Sequence, residues 1–286
     1  MLGEFDLEIP DSMEEALEML ATADAPAPLA GGTNMLVDMR AGAMRPERVV
    51  SLARLGGMRW IEERDSRIAI GGGTTVSDLL RDKRIAVHGA SLVEAARVFA
   101  GQMVRNTATV AGNVAYGSPA ADLVPPLMVL DAEVTLMSKA DTRTVPLADY
   151  FTGYKQTVRK PDELIAGIAW PKRRPGMADL FYKLARRKGD AITMTGVAVA
   201  LSLERGKCAG VRIALGAVAP TVVRACKAEA MLEGQAPEAA RIEEAARQAA
   251  QECEPIDDVR GSADYRRHTV HMLVRRLVGQ AIERLR

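Results

Sequence analysis

Two stretches of this chain combine residue types that hold anions. Leu29 to Arg40 reads LAGGTNMLVDMR, and Asn106 to Asp122 reads NTATVAGNVAYGSPAAD. In each, a short apolar or β-branched run breaks at glycine, small polar residues follow, and an apolar segment resumes. Glycine permits positive φ and lets a ligand approach the main chain with no Cβ in the way. Successive N–H groups can then converge on an anion, helped by the positive end of a helix that starts there. Gly31, Gly32, Thr33 and Asn34 fit a first cradle; Thr109, Ala111, Gly112 and Asn113 fit a second. Two cradles in one domain predict a diphosphate ligand. A tight turn between strand and helix uses the same residue types, so either cradle alone says little.

Other phosphate motifs fail letter by letter. A Walker A loop needs a lysine after its last glycine, and the nearest spacing, Gly112 to Gly117, is followed by Ser118. A Rossmann fingerprint needs a third glycine that Gly71-Gly72-Gly73-Thr74-Thr75-Val76 lacks. That triple glycine reads as a loop letting the next helix pack closely. There is no G-x-S-x-G elbow, no cysteine with a plausible histidine base, and no carboxylate pair with acid–base spacing, so no catalytic residue is assigned. Such a chain suits chemistry carried by a bound cofactor, with the protein supplying position and electrostatics.

Composition narrows the class. The chain has 286 residues, 48% of them hydrophobic, enough for two domains. Its 38 basic and 37 acidic residues nearly cancel, which gives no reason to expect nucleic acid or an anionic membrane as partner. No leader pattern and no apolar run of about 18 residues is present, so the expected location is the cytoplasm. Cys208, Cys226 and Cys253 are too few and too scattered for an iron–sulfur cluster. His268 and His271 have metal spacing but no further ligands, so no metal site is assigned.

The elements that must position the cradles follow in order. Glu4 to Ile9 predicts a strand, Ser12 with Glu15 a capped helix to about Ala21, and Pro28 to Ala30 the strand delivering the first cradle. Asn34 to Arg40 predicts a short helix and Arg48 to Leu52 a strand. Trp60 to Glu63 and Arg67 to Ile70 predict a hairpin, and Ser91 to Ala100 a helix ended by Gly101. Pro119 predicts the start of a helix through Leu130, with Asp122 in its first turn. There Asp122 either serves the helix dipole or accepts hydrogen bonds from a ribityl or ribose hydroxyl. Glu133 to Met137 pairs with Arg143 to Pro146, and Leu164 to Trp170 is a strand closed by Pro171. PKRRPG, from Pro171 to Gly176, marks a boundary. Beyond it come strands at Phe181 to Leu184, Thr195 to Leu203 and Val211 to Leu215. Helices follow at Lys227 to Leu232, Glu238 to Glu252, and Asp264 to the end.

Taken together, AGGTNMLVDMR, GGGTTVSDL from Gly71 and NTATVAGNVAYGSPAADLVPPLMVLDAEVTL from Asn106 resemble the FAD-binding medium subunit of molybdenum-containing hydroxylases. That family includes xanthine dehydrogenase, aerobic carbon monoxide dehydrogenase and 4-hydroxybenzoyl-CoA reductase. Nearly the whole chain is covered, and three motifs in one order are more specific than any one of them. The resemblance implies an α+β fold: a two-subdomain FAD-binding domain of the vanillyl-alcohol oxidase or PCMH type, then a small C-terminal domain of three-stranded antiparallel sheet plus helices. The implied boundaries are 1–172, with subdomains about 1–55 and 56–172, and 177–286.

Residue by residue, the resemblance assigns Leu29, Ala30, Gly31, Gly32, Thr33, Asn34, Met35 and Leu36 to one phosphate loop. Thr109, Val110, Ala111, Gly112 and Asn113 form the other. It makes Phe99 an aromatic packing on the cofactor, Asp122 the FAD contact of an SP-x-x-DL motif, Leu164 an apolar neighbour of the flavin, and Lys183 a flavin contact across the domain boundary. It further implies electron relay from 2Fe-2S clusters in a small partner chain and molybdopterin in a large one, within a dimer of heterotrimers. NAD, a quinone, oxygen or another carrier is the acceptor. The cysteine-bearing insertion of the benzoyl-CoA reductase relative has no counterpart here. A free-standing flavin oxidase using Tyr116, Tyr150 or Tyr154, and a non-catalytic assembly subunit, are the competing readings.

Overall fold

Ser12 begins the first helix as its spacing predicts. Its hydroxyl accepts the Glu15 N–H at 3.1 Å, and Glu15 Oε2 in return accepts the N–H of Asp11 at 2.8 Å, one residue earlier than in a standard capping box. In the computed structural model, which describes residues 3–22, 24, 26–187 and 189–286, this helix is α1, Met13–Leu20. It follows β1 (Asp6–Glu8) and leads to β2 (Ala27–Leu29), α2 (Met35–Arg40) and β3 (Arg48–Ser51). The three strands form a parallel sheet in the order β1-β3-β2, with Leu7 opposite Val49 and Pro28 opposite Val50. Ala16, Leu17 and Leu20 of α1 cover it together with Val50, Leu55, Met58 and Leu164.

The second unit is a sheet faced by short helices. β4 (Ile61–Arg64), β5 (Arg67–Gly71), β6 (Glu133–Met137), β7 (Thr142–Pro146) and β10 (Leu164–Pro171) pair antiparallel in the order β4-β5-β10-β6-β7. Ile70, Ile168 and Val134 lie in one register line and are fully or almost fully buried. Between β5 and β6 the chain forms α3 (Val76–Arg81), α4 (Lys83–His88), α5 (Ala90–Val98), α6 (Gln102–Thr107), α7 (Val110–Ala115) and α8 (Val124–Val129). A small hairpin, β8 (Phe151–Gly153) and β9 (Gln156–Thr157), precedes β10.

Three details differ from the sequence-based expectation. Helix α5 ends at Val98, because Phe99 is extended and Ala100 takes φ +35°; Gly101 then opens α6 instead of closing α5. Helix α8 starts at Val124, where Pro125 and Pro126 fill first-turn positions that need no N–H. Asp122 therefore lies in the turn before the helix and not in its first turn. α4 and α6, six residues each, were too short for their periodicity to stand out.

After the PKRRPG segment, β11 (Met177–Leu184), β12 (Thr195–Glu204) and β13 (Lys207–Gly216) form the expected meander, the last two turning through Arg205 and Gly206 at positive φ. A fourth strand, β14 (Val223–Arg224), adds only two pairs and carries no alternation to read. α9 (Cys226–Leu232), α10 (Ala239–Gln251) and α11 (Ala263–Leu285) cover the sheet. α11 buries the predicted stripe, Val270, Leu273, Val274, Leu277, Val278 and Ile282, against it. Among the described residues no helix is long and apolar enough to cross a membrane, and no group of three metal-ligating side chains occurs.

Candidate functional site

The first cradle rests on the backbone just before the second. A Cβ on Gly31 would lie 2.1 Å from the carbonyl oxygen of Thr107 and 3.0 Å from Cα of Ala108, so only glycine lets the first loop sit against the end of α6. Gly32 follows with φ +67°, which turns the chain into α2. Asn34 opens α2 without a side-chain cap. The amides of Thr33, Asn34 and Met35 donate to no acceptor among the described residues, as expected of an open helix start. The second cradle is partly closed on itself. Thr109 Oγ1 accepts the Gly112 N–H at 2.9 Å, and the Thr74 carbonyl accepts the Val110 N–H at 2.9 Å. The Gly71–Gly73 segment behind it packs on main chain: Cβ atoms there would meet the carbonyls of Met58 and Ile165 at 2.2 and 2.1 Å.

The helices leaving the cradles are tied at their far ends. Tyr116 Oη, just after α7, donates to Asp38 Oδ2 of α2 at 2.9 Å. Lys155, in the β8–β9 turn, donates to Tyr116 Oη at 2.6 Å and pairs with Asp38 at 3.4 Å. Burial raises the Tyr116 pKa, and the hydrogen bond to Tyr116 holds Lys155 above its ordinary value. The phenol is thus engaged on both sides. Tyr150 is fully buried and Tyr154 is 62% exposed.

A buried ion pair joins the two halves of the chain. Lys183 Nζ lies 2.6 Å from Asp122 Oδ2, with both side chains under a tenth exposed. Thr193 donates its hydroxyl to the other carboxylate oxygen, and Lys183 also donates to the Val98 carbonyl at 3.3 Å. Burial pushes the Asp122 carboxyl upward, and the ammonium and hydroxyl act against that. Lys183, which a strand pattern alone would leave solvated, is therefore structural glue as well as a candidate contact. Asn113 Oδ1 accepts the Leu123 N–H at 3.3 Å, fixing the turn that carries Asp122.

The remaining candidates divide. Phe99 is half-buried at the end of α5, its carbonyl and that of Ala100 each held by Arg105 Nη1 at 2.8 Å. Leu164 is 3% exposed and packs with Leu17, Leu20, Val50 and Met58, so its side chain belongs to the core under α1. Val110 is fully buried and contributes only backbone. The sequence reading missed Asp38, Lys155, Arg105 and Thr193. Asp38 lay inside the first motif, but its partner is 78 residues away and no spacing announces it.

Three features fit a dinucleotide: a glycine-dependent first loop with open amides, a second loop starting two residues after the Thr107 backbone that Gly31 rests on, and a polar seam formed by Asp122, Lys183 and Thr193. That arrangement defines a diphosphate-cofactor protein of two-subdomain α+β architecture. The chain matches the family described as the FAD binding domain in molybdopterin dehydrogenase over residues 3–173, and the CO dehydrogenase flavoprotein C-terminal domain over 180–281. It is 32% identical over 278 residues to the carbon monoxide dehydrogenase medium chain of Hydrogenophaga pseudoflava, covering 97% of this chain and 96% of that one. It is 27% identical over 273 residues to the xanthine dehydrogenase FAD-binding subunit of Escherichia coli O157:H7, covering 95% and 94%. The solved carbon monoxide dehydrogenase of Hydrogenophaga pseudoflava lacking the Mo-pyranopterin moiety contains a chain that superposes with a TM-score of 0.96 at 32% identity, covering 99% of both chains. The chain belongs to the FAD-binding medium subunits of the molybdenum hydroxylase family and is an oxidoreductase subunit.

Proposed function

We infer that this chain binds one FAD across its two cradles and relays electrons from 2Fe-2S clusters in a small partner chain to a terminal acceptor such as NAD or a quinone. The observation that supports this is the contact of Gly31 with Thr107, which seats the first loop against the backbone leading into the second. Bound FAD supplies a carrier able to accept electrons singly and release them in pairs. The chain's own residues position and shield it. The unpaired amides of Thr33, Asn34 and Met35 in the loop Leu29 to Leu36, and of Thr109 and Ala111 in the loop Thr109 to Asn113, would supply main-chain donors, Asp122 and Lys183 polar contacts at the seam, and Phe99 apolar surface, while Leu164, its side chain in the core under α1, would offer only main chain.

Further parts of this reading are the 1–172 and 177–286 domain division, a molybdopterin-bearing large partner, assembly as a dimer of heterotrimers, and a cytoplasmic location. The protein's cysteines support dependence on a partner for clusters. Cys208 and Cys253 are buried, burial pushes the Cys253 thiol up to about 12, and Cys226 stands alone on the surface. The test is the absorption spectrum of the purified chain followed by release and quantitation of the cofactor. About one FAD per chain is expected. A colourless chain that takes up no added FAD would refute the assignment.

A further inference from the structure

Three alternate residues of β11 meet one face of α5. Asp179 Oδ2 accepts the Ser91 N–H at 2.7 Å, Glu94 Oε2 accepts the Phe181 N–H at 2.7 Å, and Lys183 Nζ donates to the Val98 carbonyl. Positions 91, 94 and 98 share a helix face, and 179, 181 and 183 share one side of a strand. Two strand residues advance about 6.6 Å and three to four helical residues about 5 Å, so helix and strand run parallel nearly in step. β11 is an edge strand bonded only to β12, and the N–H that Phe181 turns outward finds a carboxylate where an edge would otherwise face water. The charges suit the helix dipole, with a carboxylate at its first turn and an ammonium at its last carbonyl.

The arrangement is costly in one place. Asp179 is 1% exposed, and its Oδ1, like the Ser91 hydroxyl beside it, has no partner among the described residues. A buried carboxylate left half-satisfied weakens the fold, so packing strength does not account for it. What α5 controls does. Phe99 follows it directly, Arg105 fixes the next turn, and α6 ends at Thr107, against which Gly31 rests. A slide of α5 along β11 displaces Phe99 and the contact that pairs the cradles.

We propose that Asp179 and Glu94 are positioning residues for the flavin site, locking α5 along β11 so that the C-terminal unit sets the affinity of the N-terminal unit for FAD. This rests on the FAD reading above, although neither residue is among those assigned to the cofactor.

The test uses the full chain, stripped of FAD and titrated with it by fluorescence. Asp179→Asn keeps the shape and the bond to Ser91 but removes the charge; Glu94→Gln does the same at Phe181. The expected result is a FAD Kd raised about five- to tenfold in each variant, the range of an ordinary coupling between sites. Amide exchange over residues 90–98 should quicken, while the thermal midpoint of FAD-free Asp179→Asn stays level or rises. A purely structural role would lower that midpoint and leave Kd alone. Kd within twofold of the parent in both variants overturns the proposal, whatever the midpoint does. Should Asp179→Asn fail to fold, Glu94→Gln decides alone, its side chain being 28% exposed. A parent chain that takes up no FAD overturns the underlying reading and this inference together.

Discussion

A side chain on Gly31 would begin 2.1 Å from the carbonyl oxygen of Thr107, so the first loop is shaped by the end of α6, which leads into the second. Gly31→Ala must push the loops apart. Overpacking of this kind costs about 1–3 kcal/mol, and the variant should be less stable and release its flavin. At Gly112 a Cβ would meet only the Thr109 hydroxyl, at 2.8 Å. Gly112→Val therefore disturbs a helix cap worth about 1 kcal/mol and should fold while losing most of its FAD. Cofactor content and thermal midpoint, measured together, separate the two cases; full flavin occupancy in both would contradict the paired-cradle site.

The hydroxyl of Tyr116 bridges Asp38 and Lys155. Tyr116→Phe leaves that pair to interact directly and should cost about 1 kcal/mol. FAD binding is expected to weaken a few-fold with reduction of the flavin by its donor retained. Abolition of flavin reduction with FAD still bound would instead assign the phenol a chemical role.

Removing the Lys183 ammonium strands the Asp122 carboxylate in the seam. Breaking a buried pair in this way costs about 3–5 kcal/mol. The Asp122 pKa, already raised by burial, rises further in Lys183→Met. A carboxyl raised above its unfolded value contributes stability that is full below about pH 4 and is lost as pH climbs through the folded value. The variant's thermal midpoint should therefore drop from pH 5 to pH 8 more steeply than the parent's, and adding Asp122→Asn should flatten that slope. Parallel slopes would argue that the pair is not coupled.

Asp258 behaves in the opposite sense. Hydrogen bonds from Arg260 and Arg266 hold its carboxyl well below the usual carboxylate range. Its contribution is present above the unfolded value near pH 4 and disappears as pH falls toward the folded one. Asp258→Asn should thus be less stable than the parent at pH 7, with the gap closing toward pH 3. Arg266, 1% exposed and bonded to the Ala217 carbonyl at 2.6 Å, would lose its charge partner in that variant. A gap that persists unchanged to pH 3 would place the effect in packing.

Much of this protein is local and was therefore legible in the residues. The Ser12 cap, the β4–β5 hairpin, the turn at Arg205-Gly206 and the apolar stripe of α11 each depend on neighbours within a few positions. Both loops stand out as candidates because glycine followed by small polar residues is itself the signal. Short helices such as α4 and α6 escaped, since one and a half turns hold too few residues to show a period.

The tertiary structure decided what lies far apart in sequence. It put Gly31 on Thr107, Tyr116 on Asp38, and the Asp122 carboxylate on Lys183, 61 residues away. It also moved the Leu164 side chain into the core beneath α1 and placed three residues of β11 along α5. Residue type states what a group can donate, accept or fill. Which group it meets is settled only when burial excludes water and leaves each polar atom the partners that packing brings within reach.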